Sequence, residues 1–177
     1  MTIRRKHIRD LVSRLLTESE IARPPVPIER IARARGAQVR KEGVDDDVSG
    51  FLYRNPETKR AVIGANRLQH PNRQRFTIAH ELGHLLLHSG DDVHVDKSFL
   101  VKRRDQRSAK GIDVDEMEAN LFAAELLMPI QFLQQDLKRV GELDLLHDEK
   151  VAELARLYQV SSQAMAVRLG HIGYLSI

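Results

Sequence analysis

The sequence predicts an α+β fold that is mostly helical, with a small three-stranded antiparallel sheet. Apolar residues recur at three- and four-residue spacing before residue 20 and again after residue 70, which is typical of amphipathic helices. Between these parts, short apolar runs alternate with Asp-rich and Asn-Pro turns, as expected for strands. The chain has 177 residues, which fits one domain better than two.

Boundary residues mark the individual elements. The proline-rich segment 23–27 ends the first helix, and Gly36 ends the second. Pro71 suits the first turn of a helix, Pro129 stops the helix before it, and Ser161 is a good N-cap for the last one. The predicted elements are helices over 4–20 and 28–35, strands over 37–41, 50–54 and 60–65, an optional short strand over 93–95, and helices over 71–87, 113–128, 130–139, 148–158 and 161–171.

We expect a single domain of residues 1–177 in three parts. These are an N-terminal helix (1–22), a core (23–129) and a C-terminal helical part (130–177). The last part has the rhythm of a helix-turn-helix, because two runs of periodic apolar residues flank Val160 and Ser161.

The composition excludes several classes of functional site. The sequence has no cysteine, which excludes a disulfide scaffold, a cysteine nucleophile and thiolate metal ligands. A transition metal would therefore need His, Asp or Glu ligands. Charges interrupt every apolar run short of a membrane span, and no apolar signal segment follows the basic first residues. We expect a cytoplasmic protein without a membrane partner.

Positive charge is concentrated in two places. Residues 1–42 carry 11 Lys/Arg against 5 Asp/Glu, and a second cluster contains Lys102, Arg103, Arg104, Arg107 and Lys110. Such patches can attract nucleic acid or an acidic partner. A solvated basic face is the simpler interpretation, and we favour it because charge alone is a weak indicator of a partner.

The segment HELGH at residues 80–84 matches H-E-x-x-H inside a predicted helix. His80 and His84 lie one turn apart on the same helix face, where two imidazoles can bind one Zn²⁺. Glu81 is placed to act as general base for the attacking water. Random placement of 8 His and 12 Glu gives such a motif in about 2% of chains. A credible third ligand is therefore needed to distinguish a metal site from a chance match.

The third ligand is expected from the helix predicted over 113–128, because the metzincin continuation of H-E-x-x-H is absent. Glu116 shares a face with Ala119 and Asn120, and the small Ala119 allows the two helices to approach closely. Glu118, the alternative, points almost the opposite way. We therefore expect a gluzincin-like set of two histidines and Glu116, with Asn120 placed to hydrogen-bond a ligand.

Five further residues are candidates for the site. His88 could line the cleft, although a partly exposed surface histidine is the simpler interpretation. His94, in the following loop, is a weaker ligand candidate than the glutamate. Tyr53, Tyr158 or His171 could donate a hydrogen bond to the tetrahedral intermediate, and the sequence leaves all three open.

Two segments carry a family resemblance: RFTIAHELGHLLLH at 75–88 and EMEANLFAAELLMP at 116–129. They resemble the core of the ImmA/IrrE-type metallopeptidases, and the similarity extends over roughly residues 25–170. The resemblance implies a zincin-like α+β fold, Zn²⁺ as cofactor and the glutamate at position 116 as third ligand. It also implies a substrate class, since members typically cleave helix-turn-helix transcriptional repressors encoded nearby and so relieve repression after stress or in mobile elements.

We therefore expect a zinc-dependent endopeptidase that acts on a helix-turn-helix repressor. One alternative is a DNA-binding regulator that reads bases with Ser162, Gln163 and Arg168. The other is a non-catalytic regulator or toxin–antitoxin component that acts by binding alone. The intact Glu81 argues against binding alone, because a purely structural metal site needs no general base.

Overall fold

The computed structural model describes residues 2–45, 47–58, 60–89, 92–97, 109–140 and 148–173. Seven helices and four strands lie in these ranges. In chain order they are α1 (Arg5–Glu18), α2 (Ile28–Ala34), β1 (Ala37–Glu42), β2 (Val48–Arg54), β3 (Ala61–Asn66), α3 (Pro71–Leu87), β4 (Val93–Lys97), α4 (Ala109–Leu127), α5 (Ile130–Val140), α6 (Asp148–Tyr158) and α7 (Ser162–His171).

The sheet has four strands in the order β1-β3-β2-β4. Strand β2 pairs antiparallel with β3 and β4, whereas β1 pairs parallel with β3, with Ala37 opposite Ala61. The α+β class is confirmed, but the predicted three-stranded antiparallel sheet is wrong. The optional strand at 93–95 is present as β4, and β3 lies between β1 and β2 because the connection from β1 crosses the end of β3.

Asn66, at the end of β3, holds this crossing in place. Its side-chain amide donates hydrogen bonds to the carbonyl oxygens of Val44, Asp45 and Val48, at 3.4, 3.4 and 3.0 Å. Asn66 is 1% exposed, so these carbonyls replace water as its partners. One buried amide therefore fixes the turn that makes the sheet mixed.

The helices lie close to their predicted positions, with one larger difference. Helix α4 begins at Ala109 rather than at Asp113, because the chain passes through Gly111 without leaving the helix. A single glycine weakens a helix but does not end it. The N-cap prediction is confirmed, because the Ser161 hydroxyl accepts a hydrogen bond from the backbone N–H of Ala164 at 3.1 Å.

Helix α3 lies between the sheet and α4. It contacts β2 and β3 on one side and α4 on the other, and the whole segment Thr77–His84 is buried. A Cβ added to Gly83 would lie 3.1 Å from the Cα of Ala119, so α3 and α4 cross at close range. This close crossing places polar residues of both helices within reach of each other.

The C-terminal helices dock on α4 through a buried ion pair. Arg168 of α7 donates to both carboxylate oxygens of Glu125, at 3.0 and 2.5 Å, and to the carbonyl of Met128 at 3.1 Å. Arg168 is 3% exposed and Glu125 is 2% exposed. Arg168 is therefore unavailable to read bases, contrary to its suggested role in a DNA-binding helix.

Two sequence-based expectations concern a membrane span and the basic patch at 102–110. No helix in the described ranges is long and apolar enough to cross a membrane. The side chains of the basic cluster at 102–110 lie outside the described residues, so the patch suggested there is not placed by the structure.

Candidate metal centre

Helices α3 and α4 bring three side chains together at one point. The Nε2 atoms of His80 and His84 are 3.1 Å apart. Glu116 Oε2 lies 3.5 Å from His80 Nε2, and its Oε1 lies 3.3 Å from His84 Nε2. These are the residues expected as metal ligands, and their donor atoms form a compact triangle.

The triangle has the size that one tetrahedral zinc ion requires. Ligand atoms about 2.0–2.1 Å from a tetrahedral metal lie about 3.3–3.4 Å from one another. The two histidine nitrogens are 3.1 Å apart, and each has one of the two Glu116 oxygens near it, at 3.5 Å from His80 and 3.3 Å from His84, so these separations lie on either side of that value. Two imidazoles and a carboxylate are also ligands that zinc accepts. The residues present therefore fit the metal.

The surroundings put these groups in the ionisation states that a metal needs. Burial lowers the pKa of His84 to about 4, so its imidazole is neutral near pH 7. Burial opposes ionisation of Glu116, but the imidazoles of His80, His84 and His94 beside its oxygens outweigh it and hold its pKa below the usual range. The site therefore combines a neutral imidazole with a carboxylate.

Asn120 orients the first histidine. Its Oδ1 lies 3.1 Å from His80 Nδ1, one helical turn after Glu116. A carbonyl oxygen can only accept, so the ring proton of His80 belongs on Nδ1. This leaves the Nε2 lone pair facing the triangle, as metal binding requires.

Glu81 and His94 lie beside the triangle. Glu81 is 0% exposed, and its Oε2 lies 3.2 Å from His94 Nδ1. His94 Nε2 in turn lies 3.1 Å from Glu116 Oε1, and its ring centre is 4.1 Å from that of His84. Hydrogen bonds with Glu116 and Glu81 raise the pKa of His94 to about 10. His94 thus links the general-base candidate to a ligand.

Strand pairing explains the position of His94. It lies on β4 opposite Leu52 of β2, and residues directly opposite each other share one face of a sheet. Leu52 is 0% exposed and faces the core, so His94 faces inward as well. From the sequence, His94 is expected in a loop that contains a short strand over 93–95, and it is a weaker ligand candidate there than Glu116. The alternation in Val93-His94-Val95 was the available signal, and both valines are exposed.

The candidates for hydrogen-bonding the tetrahedral intermediate lie elsewhere. Tyr53 follows Leu52 on β2 and so projects from the opposite face of the sheet. The hydroxyl of Tyr158 donates to Asp136 Oδ2 at 2.7 Å. His171 is exposed in the last turn of α7. The structure does not bring these three residues into the triangle.

The end of α3 carries contacts that the sequence did not predict. His88 is not the expected surface histidine, because its side chain is 7% exposed and its Nδ1 lies 3.3 Å from His84 Nδ1. Arg54 Nη2 donates to the carbonyls of His84 and His88, at 2.8 and 3.2 Å. Glu118, the alternative ligand, is paired with Arg4 instead. Neighbouring elements therefore hold the turn that carries His84.

Comparison with known proteins gives a family match. A model of the family described as IrrE N-terminal-like domain, a peptidase family, matches residues 32–170. The radiation response metalloprotease IrrE of Deinococcus radiodurans is 35% identical over 105 residues, which cover 58% of this chain and 29% of that protein. Its counterpart from Deinococcus deserti is 37% identical over 102 residues, 57% of this chain and 33% of that protein.

Two further similarities extend the comparison. Uncharacterized immunity region protein 2 of Bacillus phage phi105 is 32% identical over 117 residues, which cover 65% of this chain and 68% of the phage protein. A solved structure of a Mycobacterium tuberculosis transcriptional regulator has a TM-score of 0.64 at 20% identity, over 93% of this chain and 46% of that chain. The last likeness supports the fold. The chain spans about a third of the length of the two Deinococcus relatives.

Proposed function

The chain belongs to the IrrE N-terminal-like peptidase family, and from this we propose that it is a zinc-dependent endopeptidase. The observation that carries the proposal is the cluster of His80, His84 and Glu116, in which the two histidine nitrogens lie 3.1 Å apart and each lies 3.3–3.5 Å from its nearer Glu116 oxygen. Glu81 lies buried beside it, where a peptidase needs a base.

Each residue of the site has a separate role in peptide hydrolysis. His80, His84 and Glu116 would hold zinc, which when bound polarises a carbonyl oxygen and makes water more acidic. Glu81 accepts a proton from water as the water oxygen attacks the peptide carbonyl carbon. It then donates that proton to the amide nitrogen as the C–N bond breaks. Asn120 keeps the His80 ring in the orientation that binding requires.

The substrate we propose is a helix-turn-helix transcriptional repressor encoded near this protein's gene. The resemblance of residues 75–88 and 116–129 to ImmA/IrrE-type peptidases supports this substrate class. The phage relative is named for an immunity region, and the Deinococcus relatives for a radiation response. Both names are compatible with an enzyme that acts within gene regulation.

A DNA-binding regulator is the second candidate, favoured by the helix-turn-helix rhythm of α6 and α7. Ser162 and Gln163 are exposed at the start of α7, as a reading helix would require. Arg168 forms a buried ion pair with Glu125, so the side chain best suited to contact bases is not available to DNA. We therefore propose peptidase activity as the main function.

The first prediction concerns Glu81→Gln. This variant should keep zinc at wild-type stoichiometry, because Glu81 is not part of the ligand triangle. Its cleavage of the neighbouring repressor should fall by about 10²–10⁴-fold, the usual contribution of a general base. The measurement is a gel-based cleavage assay with purified repressor, together with the zinc content of each protein.

Two controls accompany this assay. Glu153→Gln makes the same chemical change at an exposed position of α6 and should cleave like wild type. His80→Ala should lose zinc as well as cleavage. Cleavage by Glu81→Gln at the wild-type rate would contradict the proposed mechanism. Zinc-loaded wild type that binds the repressor without cutting it would favour a regulator that acts by binding.

A further inference from the structure

His84 and His88 meet through the nitrogens that face away from the triangle. Nδ1 of His84 lies 3.3 Å from Nδ1 of His88. If Nε2 of His84 binds a metal, its ring proton must lie on Nδ1. That N–H then donates to His88, which must accept through an unprotonated Nδ1.

The second hydrogen bond of the series joins His88 to Glu118. A neutral His88 that accepts at Nδ1 carries its proton on Nε2. Its Nε2 lies 3.2 Å from Glu118 Oε2, close enough to donate to that carboxylate. Glu118 is 1% exposed. Each donor in this series therefore meets an acceptor.

Arg4 completes the series. Its backbone N–H donates to Glu118 Oε1 at 2.7 Å, and its guanidinium bonds both carboxylate oxygens at 2.5–3.1 Å. The guanidinium also donates to the carbonyl of Leu87 at 3.2 Å, at the end of α3. Glu118 is thus held as an anion that faces His88.

We propose that Arg4, Glu118 and His88 form a hydrogen-bonded relay that orients His84 for metal binding. The inference rests on the proposed metal site and assigns new positioning residues to it. Asn120 orients the His80 ring by direct contact. The His84 ring is oriented by His88, which in turn is held by Glu118 and Arg4. The relay begins just before α1, so the N-terminal helix contributes to the metal centre.

The cluster of His88, Asp115 and Glu118 also has the spacing of a second metal site. Arg4 argues against that use, because its guanidinium already occupies both oxygens of Glu118. A cation placed there would meet a positive charge at close range. A hydrogen bond donated by His88 to Glu118 brings no second positive charge near Arg4.

His88 variants test the relay at its central link. His88→Leu removes the acceptor for His84 and should weaken zinc binding by about 10–100-fold, as loss of a ligand's hydrogen-bond partner typically does. His88→Asn keeps an oxygen near the position of Nδ1 and should bind zinc much more tightly than His88→Leu. Affinity is measured by competition with a chromogenic chelator, and the visible spectrum of bound Co²⁺ reports the ligand geometry.

Arg4 is tested against a matched residue, Arg9. Both come from the N-terminal segment, both are about half exposed, and both pair with a buried glutamate of α4, Glu118 or Glu125. Arg4→Met should weaken zinc binding, whereas Arg9→Met should not. Equal loss in both variants would show that helix docking, rather than the relay, controls the affinity.

A spectroscopic readout separates the two proposals. In zinc-loaded wild type, the His84 ring proton on Nδ1 should be visible in ¹H–¹⁵N spectra and should exchange slowly with water, because His88 accepts it, whereas in His88→Leu it should exchange fast. A slowly exchanging ring proton and wild-type affinity in His88→Leu would overturn the relay while leaving the peptidase proposal intact. Failure of wild type to bind zinc, with His80→Ala indistinguishable from it, would overturn the metal site and the relay together.

Discussion

The buried side chain of Tyr158 forms a hydrogen bond with a charged partner. Tyr158 is 0% exposed, and its hydroxyl donates to Asp136 at 2.7 Å. Burial, together with the hydrogen bond and charge of Asp136, raises the pKa of Tyr158 above its usual value near 10. The folded protein therefore keeps this proton at a pH where the unfolded chain releases it.

Tyr158→Phe should consequently show a pH-dependent effect on stability. Near pH 8 the variant should be about 1 kcal/mol less stable, the net value of one hydrogen bond. A raised pKa stabilises the fold below the unfolded value and loses that contribution as pH rises, so wild type loses up to about 1.4 kcal/mol per pH unit above about pH 10. Urea unfolding near pH 8 and near pH 10.5 measures the difference. A gap that stays constant would contradict the assigned cause.

At the residue scale, helical periodicity allowed the facing of each side chain on its own helix to be predicted, whereas its role as a ligand stays a prediction. His80, His84 and the facing argument for Glu116 follow from helical periodicity, and the structure brings these three together. Arg4, Arg54 and His94 were missed or undervalued, because their positions depend on contacts between elements distant in sequence. Arg4 lies 114 positions from Glu118, and no local pattern connects them.

At the scale of elements, the approach of α3 to β2 depends on Gly50. A Cβ at this position would lie 2.3 Å from Thr77 Cγ2 and 2.6 Å from the carbonyl oxygen of Gly64. The threonine methyl and the backbone cannot move aside as a flexible side chain would. Gly50→Ala should therefore destabilise the protein by about 1–3 kcal/mol through overpacking, as measured by urea unfolding.

Gly43→Ala is the control for this substitution. Its added Cβ would meet only the Arg67 side chain, at 3.3 Å, which can rotate away. The expected change is within about 0.5 kcal/mol. Equal effects of the two substitutions would mean that lost glycine flexibility, rather than crowding against α3, determines the result.

Element types were predictable, but strand order was not. Each strand has apolar residues and turn-forming neighbours that identify it locally. Whether β1 pairs with β2 or with β3 depends on the crossing held by Asn66, whose three acceptors are backbone carbonyls. Any sequence offers such carbonyls, so the pairing leaves no distinctive pattern.

Across the whole molecule, Arg168 ties the C-terminal helices to the helix that carries Glu116. Among the described residues, Arg168→Met leaves the buried carboxylate of Glu125 with Arg9 as its remaining ion-pair partner, and that arginine is half exposed. The loss should be about 3 kcal/mol, typical of a broken buried pair. Urea unfolding measures it, and hydrogen exchange should show faster opening of α7.

The double variant Arg168→Met/Glu125→Met isolates the cause. Removing both side chains leaves no unpaired buried charge, so the double variant should be more stable than Arg168→Met alone. A double variant less stable than the single one would show that the packing of Glu125, rather than its charge, holds the helices together.

The separation of Arg4 from Glu118 also has a consequence for the order of folding. Closing a loop of that length costs about 4 kcal/mol of chain entropy before the contact contributes anything. Helix α3 and the β2–β3 hairpin need only local contacts, which form early. The N-terminal segment should therefore dock late, and the ring of His84 should become fixed only in the last stage of folding.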